Sequence, residues 1–237
     1  MAVGRDLVVL ARRHVGERYD NVLVPKNHRG WKGPWDCAEF TSWCVFQVAG
    51  FLYGCTDDAG DPATTEAYTG AWQHDAKTRG RMVPVAEAAV TAGAVVLRYP
   101  PAPGHMGHIA FCDGSGGTVE AHSRTRGVIR DVVAGRRWDT GVLVPGIEFV
   151  RGAAPLPVSP PKTVIYRLTD PWMEGPTVKT IQRALKKAGF SPGKVDGRFG
   201  PFTHAAVVAF QQKKSLVSDG EVGPRTAKRL GVDLPEA

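Results

Sequence analysis

Apolar residues recur at helical spacing near the start of the chain. In DLVVLARRHVG (6–16), the residues Leu7, Leu10, Ala11 and His14 fall on one side of a helix. Gly16 follows them at the position where helices commonly stop. The pattern predicts an amphipathic helix that ends at Gly16.

A second helical pattern begins after Asp36. In CAEFTSWCVFQVAG, the residues Phe40, Cys44 and Val48 are spaced four apart. Asp36 stands at the N-cap position of this helix, where its carboxylate can accept backbone N–H groups. Cys37 therefore lies in the first turn, and Glu39 is interpreted as a first-turn partner of the helix dipole.

Short runs rich in β-branched and aromatic residues follow, in AGAVVLRYP and in GHMGHIAFCDGSGGTVEAHS. The segment HIAFC alternates from His108, and VEA follows a GSGG turn, which predicts a β-hairpin. Pairing across this hairpin can bring His108 beside Glu120 on the same face. Together with the helices, the strands predict an α+β domain containing an antiparallel sheet.

A proline-rich stretch divides the chain. RGAAPLPVSPPKTV (151–164) has four prolines and no periodic apolar pattern, as is typical of an extended, semi-rigid linker. We therefore place one domain at residues 1–150, the linker at 151–164 and a second, smaller domain at 165–237.

The second domain contains an internal repeat. The pattern D-G-x-[FV]-G-P-x-T begins at Asp196 and again at Asp219. Helical spacing in PTVKTIQRALKKAGF, with Gly189 as its C-terminal stop, and in THAAVVAFQQKKS predicts amphipathic helices around these turns. A small domain of three helices is expected.

The excess of basic residues is concentrated in this second domain. The chain of 237 residues has a net charge of +7, yet residues 1–150 hold 16 basic and 16 acidic residues, whereas residues 151–237 hold 14 and 7. A basic surface suggests a polyanionic partner such as nucleic acid, anionic lipid or an acidic wall polymer, or it is only a solvated face. Nucleic acid is not expected, because the interleaved aromatic residues of such surfaces are missing.

Composition sets further bounds. At 43% hydrophobic residues, the chain can bury one large core or two modest ones. No apolar run approaches the roughly 20 residues of a membrane span, and LVVLA near the N-terminus is too short for a secretory signal. We expect a protein made in the cytoplasm without a Sec signal and without insertion into a membrane.

The four cysteines, Cys37, Cys44, Cys55 and Cys112, have spacings that fit no zinc motif. We expect free thiols, no metal and no cofactor. Cys37 is the candidate nucleophile, since unpaired N–H groups and the dipole of a helix start lower a thiol pKa. The alternative is an inert buried thiol, which is the commonest state of free cysteine.

A nucleophilic cysteine needs a base and a third group that orients the base. Cys37, His108 and Glu120 supply these three parts. His105 is an alternative base if the strand register differs, and His122 is an alternative third residue because it shares the strand face of Glu120.

The C-terminal segments EGPTVKTIQRALKKAGF, VDGRFGPFTHAAVVAFQQKKSL and DGEVGPRTAKRL closely resemble the peptidoglycan-binding domain of bacterial and phage cell-wall hydrolases. The resemblance covers roughly residues 166 to 232 and implies attachment to peptidoglycan.

The N-terminal domain resembles the NlpC-type, papain-like cell-wall cysteine peptidases. WDCAEF stands at the family's D-C-S-G-F-like motif, HIAFCDG at its histidine strand, and VEA at the strand of the third residue. The resemblance implies a role for Tyr19 at the substrate subsite, with a structural packing role as the alternative, and Asp36 is a second candidate substrate-binding residue. Ala38 and Glu39 replace the usual Ser-Gly, which puts the family's preference for a free N-terminal L-alanine stem peptide in question.

The two resemblances together imply a peptidoglycan hydrolase, either a phage endolysin or a bacterial enzyme. It would cleave an amide bond in the stem peptide and reach the wall by phage lysis or specialised secretion. An N-acetylmuramoyl-L-alanine amidase and a non-catalytic wall-binding adaptor are the alternatives. We expect a monomer whose partner is peptidoglycan.

Overall fold

The computed structural model describes residues 1–100, 107–150 and 163–236, which form two compact units. The N-terminal unit lies before residue 151 and the C-terminal unit begins at residue 163. Most of the predicted linker, residues 151–162, lies outside the described residues, and so does His105.

The described part of the N-terminal unit is an α+β fold, as the sequence predicts. Its helices are α1 (Gly4–Arg12), α2 (Cys37–Ala49), α3 (Thr69–Thr78) and α4 (Val85–Ala89). Its strands are β1 (Arg81–Val83), β2 (Val95–Arg98), β3 (His108–Cys112), β4 (Gly117–Ser123), β5 (Gly127–Val132) and β6 (Thr140–Leu143). The strands form one antiparallel sheet in the order β1-β6-β2-β3-β4-β5.

Side chains of both sheet faces are buried, and they belong to two hydrophobic clusters. On β3, Ile109 and Phe111 join the larger cluster, which also contains the apolar residues of α1 and α2. Ala110 and Cys112 join the smaller cluster with residues of α4. The period of two along the strand therefore explains why every residue of β3 is buried.

Two predicted boundaries differ from the structure. Helix α1 begins at Gly4 and ends at Arg12, and the chain reaches Gly16 through turns in which His14 and Glu17 take part. Leu7 and Ala11 are fully buried as expected. The apolar face was therefore correctly identified, whereas the last turn of the predicted helix is not α-helical.

The C-terminal unit contains the three expected helices, α5 (Pro176–Lys187), α6 (Pro201–Lys213) and α7 (Pro224–Leu230). Each helix has proline in its first turn, where the missing N–H costs no hydrogen bond. Their apolar residues surround a separate core built on Ile181, Val207 and Phe210.

The internal repeat is held by two buried glutamines in equivalent positions. Gln182 Nε2 donates to the Asp196 carboxylate, the Arg198 carbonyl and the Thr203 hydroxyl, while its Oε1 accepts the Gly197 N–H. Both polar atoms of this side chain thus hydrogen-bond to the same turn.

Gln211 repeats the arrangement in the second turn. Its Nε2 donates to Asp219 Oδ1, the Glu221 carbonyl and Thr226 Oγ1 at 2.6, 2.9 and 3.0 Å, and its Oε1 accepts the Gly220 N–H at 2.8 Å. The pseudo-symmetry of the sequence is therefore a symmetry of hydrogen bonding as well as of turn shape.

These contacts predict a stability difference between adjacent glutamines. Gln211→Ala removes the acceptor of the buried Gly220 N–H and the donor to Glu221 and Thr226, so it should lower the free energy of unfolding by about 3 kcal/mol. Gln212→Ala, at the exposed neighbouring position, is the matched control and should change it by less than about 0.5 kcal/mol. Urea titration followed by hydrogen exchange of peptides from residues 176–230 measures both; equal losses would contradict the assignment.

Candidate active site

The start of α2 is fixed by the side chain before it. Asp36 Oδ1 accepts the N–H groups of Ala38 and Glu39, both at 2.8 Å, which is the N-cap arrangement that the sequence predicts. Helix α2 therefore begins at Cys37. Burial raises the pKa of Asp36 to about 7, although these two N–H groups act in the opposite direction.

The Cys37 thiol lies against the backbone of β3. The side chain is buried with the residue 6% exposed, and the N–H groups of Ala38 and Ile109 are close enough to hydrogen-bond its sulfur. Ile109 directly follows His108 in the chain. The structure thus places the candidate nucleophile beside the segment that carries the candidate base.

The charge state of Cys37 differs from the expectation based on helix position. Burial raises the pKa of the thiol, and the negative charge of Asp36 adds to this effect. Arg98 and the two N–H groups lower the pKa but do not compensate for burial. In the free protein, the sulfur therefore carries its proton.

His108 is hydrogen-bonded to Glu120 on the face that the hairpin pattern predicts, although the register of Phe111 with Val119 and Cys112 with Thr118 does not bring the two residues directly opposite each other. Strand β3 pairs with β4, and the Nε2 atom of His108 forms a hydrogen bond with Oε2 of Glu120. Glu120 is 0% exposed and also accepts the Thr118 hydroxyl at 2.6 Å. Arg136 completes the cluster with bonds of 2.6 and 2.7 Å to the two carboxylate oxygens.

This cluster determines which nitrogen of His108 holds a proton. Burial opposes the charge of Glu120, but the Arg136 guanidinium and His108 outweigh it and hold the carboxyl pKa well below its usual range. An ionised carboxylate only accepts hydrogen bonds, so the imidazole proton lies on Nε2 and Nδ1 retains its lone pair. Burial also lowers the pKa of His108, which keeps the ring neutral at neutral pH.

The alternative third residue, His122, makes different contacts. Its Nδ1 pairs with the Ser123 hydroxyl at 2.9 Å and its Nε2 with Arg126 at 3.2 Å. The His122 ring lies edge-on to His108, with 6.1 Å between ring centroids. Burial lowers the pKa of His122 to about 3. Glu120, not His122, is hydrogen-bonded to His108.

Three side chains around His108 were not identified from the sequence. Trp138 stacks on the His108 ring at 5.8 Å, and Arg136 lies 4.6 Å from the centroid of Trp138. Arg98 is buried at the end of β2, where it is the Cα partner of His108. One arginine at the end of the otherwise apolar strand VVLR is the signal that could have drawn attention to Arg98.

Tyr19 and Asp36, the predicted substrate-binding residues, both border Cys37. Tyr19 forms a backbone β-bridge with Trp35, the residue that directly precedes Asp36. Burial raises the pKa of Tyr19, and negative charge on Asp36, or on Cys37 when its thiol ionises, raises it further. The phenol therefore lies near the thiol in its protonated form, where it can donate a hydrogen bond.

Glu39 has a larger structural role than a dipole partner. It is fully buried and accepts Lys26 Nζ at 2.5 Å, the Val24 N–H at 2.9 Å and the Ala67 N–H at 2.7 Å. Lys26 also donates to the Thr65 carbonyl at 2.8 Å. The pair fastens two loops to the first turn of α2.

Other features of the described residues bear on the kind of chemistry available. The four cysteines are buried free thiols. Within residues 1–100, 107–150 and 163–236, no group of three or more His, Cys, Asp or Glu side chains is arranged to hold a metal ion. No helix in the same ranges is both long and apolar enough to cross a membrane.

Comparisons with known proteins identify the C-terminal unit. Residues 174–230 match the family model described as "Putative peptidoglycan binding domain", which confirms the prediction made from the repeat motifs. Over 69 residues, 29% of this chain, the sequence is 38% identical to N-acetylmuramoyl-L-alanine amidase CwlM of Mycobacterium tuberculosis, covering 17% of that protein. Identity to N-acetylmuramoyl-L-alanine amidase CwlL of Bacillus licheniformis is 39% over 72 residues, covering 28% of this chain and 20% of CwlL.

The chain thus spans about a fifth of the length of these curated relatives. Among solved structures, the NlpC/p60 domain of the peptidoglycan hydrolase SagA matches 60% of this chain and 98% of its own, at 23% identity and a TM-score of 0.41. At that TM-score, the function of the N-terminal unit has to be judged from its own side chains.

The raised pKa of Cys37 predicts how its reactivity depends on pH. Because burial disfavours the thiolate, the rate of alkylation by iodoacetamide should keep rising with pH beyond pH 9. Mass spectrometry of the alkylated peptide between pH 6 and pH 10 measures this rate. Cys55, whose pKa burial raises to about 11, is the internal reference.

A Cys37 rate that levels off between pH 6 and pH 8 would contradict this prediction, since it would show a thiolate paired with imidazolium in the free protein. The same profile in His108→Ala separates the two cases, because only a thiolate paired with imidazolium depends on that ring.

Proposed function

We propose that the protein is a peptidoglycan hydrolase that cleaves an amide bond in or next to the stem peptide through an acyl-enzyme on Cys37. The observation that carries the proposal is the buried His108–Glu120–Arg136 cluster beside the Cys37 segment. It holds an imidazole neutral, in one tautomer and with Nδ1 available as a base. The match of residues 174–230 to a peptidoglycan-binding domain supports the choice of substrate.

In the first half of the reaction, Nδ1 of His108 would take the proton of the Cys37 thiol as the sulfur attacks the carbonyl carbon. Attack forms the carbon–sulfur bond and places negative charge on the carbonyl oxygen. The Cys37 N–H, first in α2, would donate to that oxygen. Collapse breaks the carbon–nitrogen bond, and the leaving amine receives the proton from His108.

In the second half, a water molecule would hydrolyse the thioester. His108 again takes a proton, now from water, and returns it to the sulfur as the carboxylate product leaves. Glu120 remains ionised throughout and keeps the imidazolium oriented. Arg136 supports that state, because its two hydrogen bonds hold the carboxylate in place.

Proton transfer from the buried Cys37 thiol to the buried His108 imidazole is costly in the free protein, because burial disfavours both the thiolate and the imidazolium that it creates. Substrate binding would lower that cost if the substrate presents its carbonyl dipole to the sulfur. Tyr19 and Asp36, which lie near Cys37, would contact the peptide on one side of the cleaved bond.

Two alternatives differ in defined ways. An N-acetylmuramoyl-L-alanine amidase would use the same residues on the bond between the sugar lactyl group and the first amino acid. The amidase names of the curated relatives do not favour it, because those matches cover 69 and 72 residues and 28–29% of this chain. A wall-binding adaptor would contain the same fold with an inert Cys37.

Peptidoglycan is the proposed partner, and the wall or periplasm the proposed place of action. Release by a phage lysis system and injection by a specialised secretion system both suit this function. We retain the expectation that the protein acts as a monomer, since all proposed catalytic groups come from one chain.

Replacing the nucleophile is the first test. Cys37→Ala should abolish the release of soluble fragments from purified peptidoglycan, because no other atom can form the acyl-enzyme, while wall binding stays intact. Mass spectrometry of the fragments made by the wild-type protein identifies the bond that is cut and so separates endopeptidase from amidase. Activity that survives Cys37→Ala would exclude the mechanism.

Cys55→Ala is the matched control, because Cys55 is also a 6% exposed free thiol. It should leave hydrolysis largely unchanged. If Cys55→Ala were inactive while folded, a second thiol would have to take part.

The third catalytic residue is tested by comparing neighbours on β4. Glu120→Ala should reduce turnover far more than His122→Ala, because it removes the acceptor that fixes the His108 tautomer; orienting carboxylates in such triads contribute up to about ten-thousandfold. Glu120→Gln keeps the size of the side chain but removes its charge, so the activity of this variant measures how much of the contribution of Glu120 to turnover is electrostatic.

Turnover is measured from fragment release over pH 5–9, with the free energy of unfolding determined for each variant. Since the pKa of His108 is lowered, activity of the wild type should persist below pH 6.5, as the neutral base survives to lower pH. A larger loss in His122→Ala than in Glu120→Ala at equal stability would transfer the orienting role to His122.

A further inference from the structure

Two large aromatic side chains of the C-terminal unit remain exposed outside its core. Trp172 is 41% exposed and Phe202 is 76% exposed. Phe202 occupies the second position of α6, whereas the equivalent position of the second repeat holds Arg225. The repeat itself therefore does not require an aromatic residue there.

Trp172 is held on a scaffold of charged residues. The Arg198 guanidinium lies 5.2 Å from the Trp172 ring centroid, and Arg198 Nε donates to Glu174 Oε1 at 2.8 Å. Glu174 and Arg198 are also paired through their backbones. A stacked arginine and a fixed glutamate leave the indole little freedom to fold away from solvent.

The two rings flank the same turn. A Cβ on Gly200 would lie 3.0 Å from the Trp172 ring, so the indole packs directly on the backbone of Gly200. Phe202 follows two residues later, and its Cβ lies 3.0 Å from the position of a Cβ on Gly193. Trp172, Arg198 and Phe202 all lie around the turn at the start of α6, and we term these three residues the aromatic platform.

We infer that the aromatic platform binds the glycan strand of peptidoglycan. Sugar rings present faces of C–H groups that pack on aromatic rings, while their hydroxyl and N-acetyl groups need hydrogen-bond partners beside the ring. The exposed Arg198–Glu174 pair supplies donors and acceptors at that place. The inference rests on the proposed function, because it takes peptidoglycan as the ligand of this unit.

The charge of the platform favours the glycan over a nucleic acid. Aromatic rings also stack on bases, but a strand of phosphates requires positive charge along its path. At the platform the Arg198 guanidinium is paired with the Glu174 carboxylate, so this pair adds no net positive charge for a phosphate strand. A neutral sugar face fits this surface, and the basic excess of residues 151–237 belongs to the unit as a whole.

The test uses the full chain with Cys37→Ala, which cannot cleave the ligand through the proposed mechanism. Pelleting with purified peptidoglycan at 0.15 and 0.5 M NaCl gives the affinity. Trp172→Ala and Phe202→Ala should each weaken binding at least threefold, and together at least tenfold, at both salt concentrations, because stacking is not screened by salt.

Two sets of variants control for folding and for nonspecific loss of apolar surface. Trp172→Phe and Phe202→Tyr keep an aromatic ring and should retain most of the binding. Met82→Ala removes an apolar side chain of similar exposure, 45%, from the N-terminal unit and should have no effect.

Competition identifies the part of the ligand that is bound. Glycan strands freed of stem peptides should compete with peptidoglycan for the parent protein, and free stem peptides should not. Competition by stem peptides but not by glycan strands would overturn the inference. It would also be overturned if single-stranded DNA bound more tightly than peptidoglycan and if the Trp172→Ala, Phe202→Ala double variant lost that binding.

The outcomes separate this inference from the proposed function. If the parent protein does not pellet with peptidoglycan, the wall-directed function fails. If the parent pellets and the double variant pellets equally well, the wall-directed function stands and the platform is excluded as its glycan contact.

Discussion

An ionised carboxylate at Glu120 has no exposed surface, and its charge is tolerated only because donors surround it. Arg136 contacts both oxygens, Thr118 contacts Oε1, and His108 contacts Oε2. Because Arg136 and Thr118 already donate to the Glu120 carboxylate from fixed directions, the His108 imidazole can add its hydrogen bond in only one orientation. Trp138 then stacks on one face of the His108 ring. The proposed base, His108, is therefore positioned by its part in the hydrogen bonding of the buried Glu120 carboxylate.

A second buried carboxylate performs the corresponding task for the thiol. Glu39, in the first turn of α2, is matched by Lys26 and by two backbone N–H groups from separate loops. Removing one partner of such a pair costs about 3–5 kcal/mol, whereas the intact pair adds little net stability. The main effect of the Lys26–Glu39 pair is therefore on geometry, because it keeps the helix that begins at Cys37 and the surrounding loops in a single arrangement.

Local rules explain which parts of this arrangement could be predicted from sequence. The N-cap at Asp36 and the position of Cys37 in the first turn depend on neighbouring residues alone. Period-two alternation and a glycine-rich turn predict that His108 and Glu120 share a face of the hairpin, but not the register, in which the two residues are not directly opposite. Arg136 lies 16 residues beyond Glu120 and forms no pattern with it, so its contact with the carboxylate arises only from the tertiary fold.

The same distinction accounts for what was misjudged. A helix dipole can be inferred from position, and it led to a lowered pKa for Cys37. Burial depends on the packing of distant segments, and in the structure it raises that pKa instead. The buried glutamines were missed for a different reason: Gln182 precedes its turn aspartate by 14 residues and Gln211 by 8, so the repeat spacing does not align them.

The uneven charge of the chain divides two tasks between the units. Residues 1–150 have equal numbers of basic and acidic residues, so the proposed catalytic site lies in a unit without net charge, and its electrostatics are set by a few buried groups. Residues 151–237 carry the excess of basic charge, which would attract an acidic polymer over distances up to about 10 Å at 0.1 M salt without distinguishing one part of the polymer from another. Selection requires contact, and the neutral aromatic platform would supply it. Because both units belong to one chain, even weak contact of the second would raise the concentration of wall peptide around Cys37.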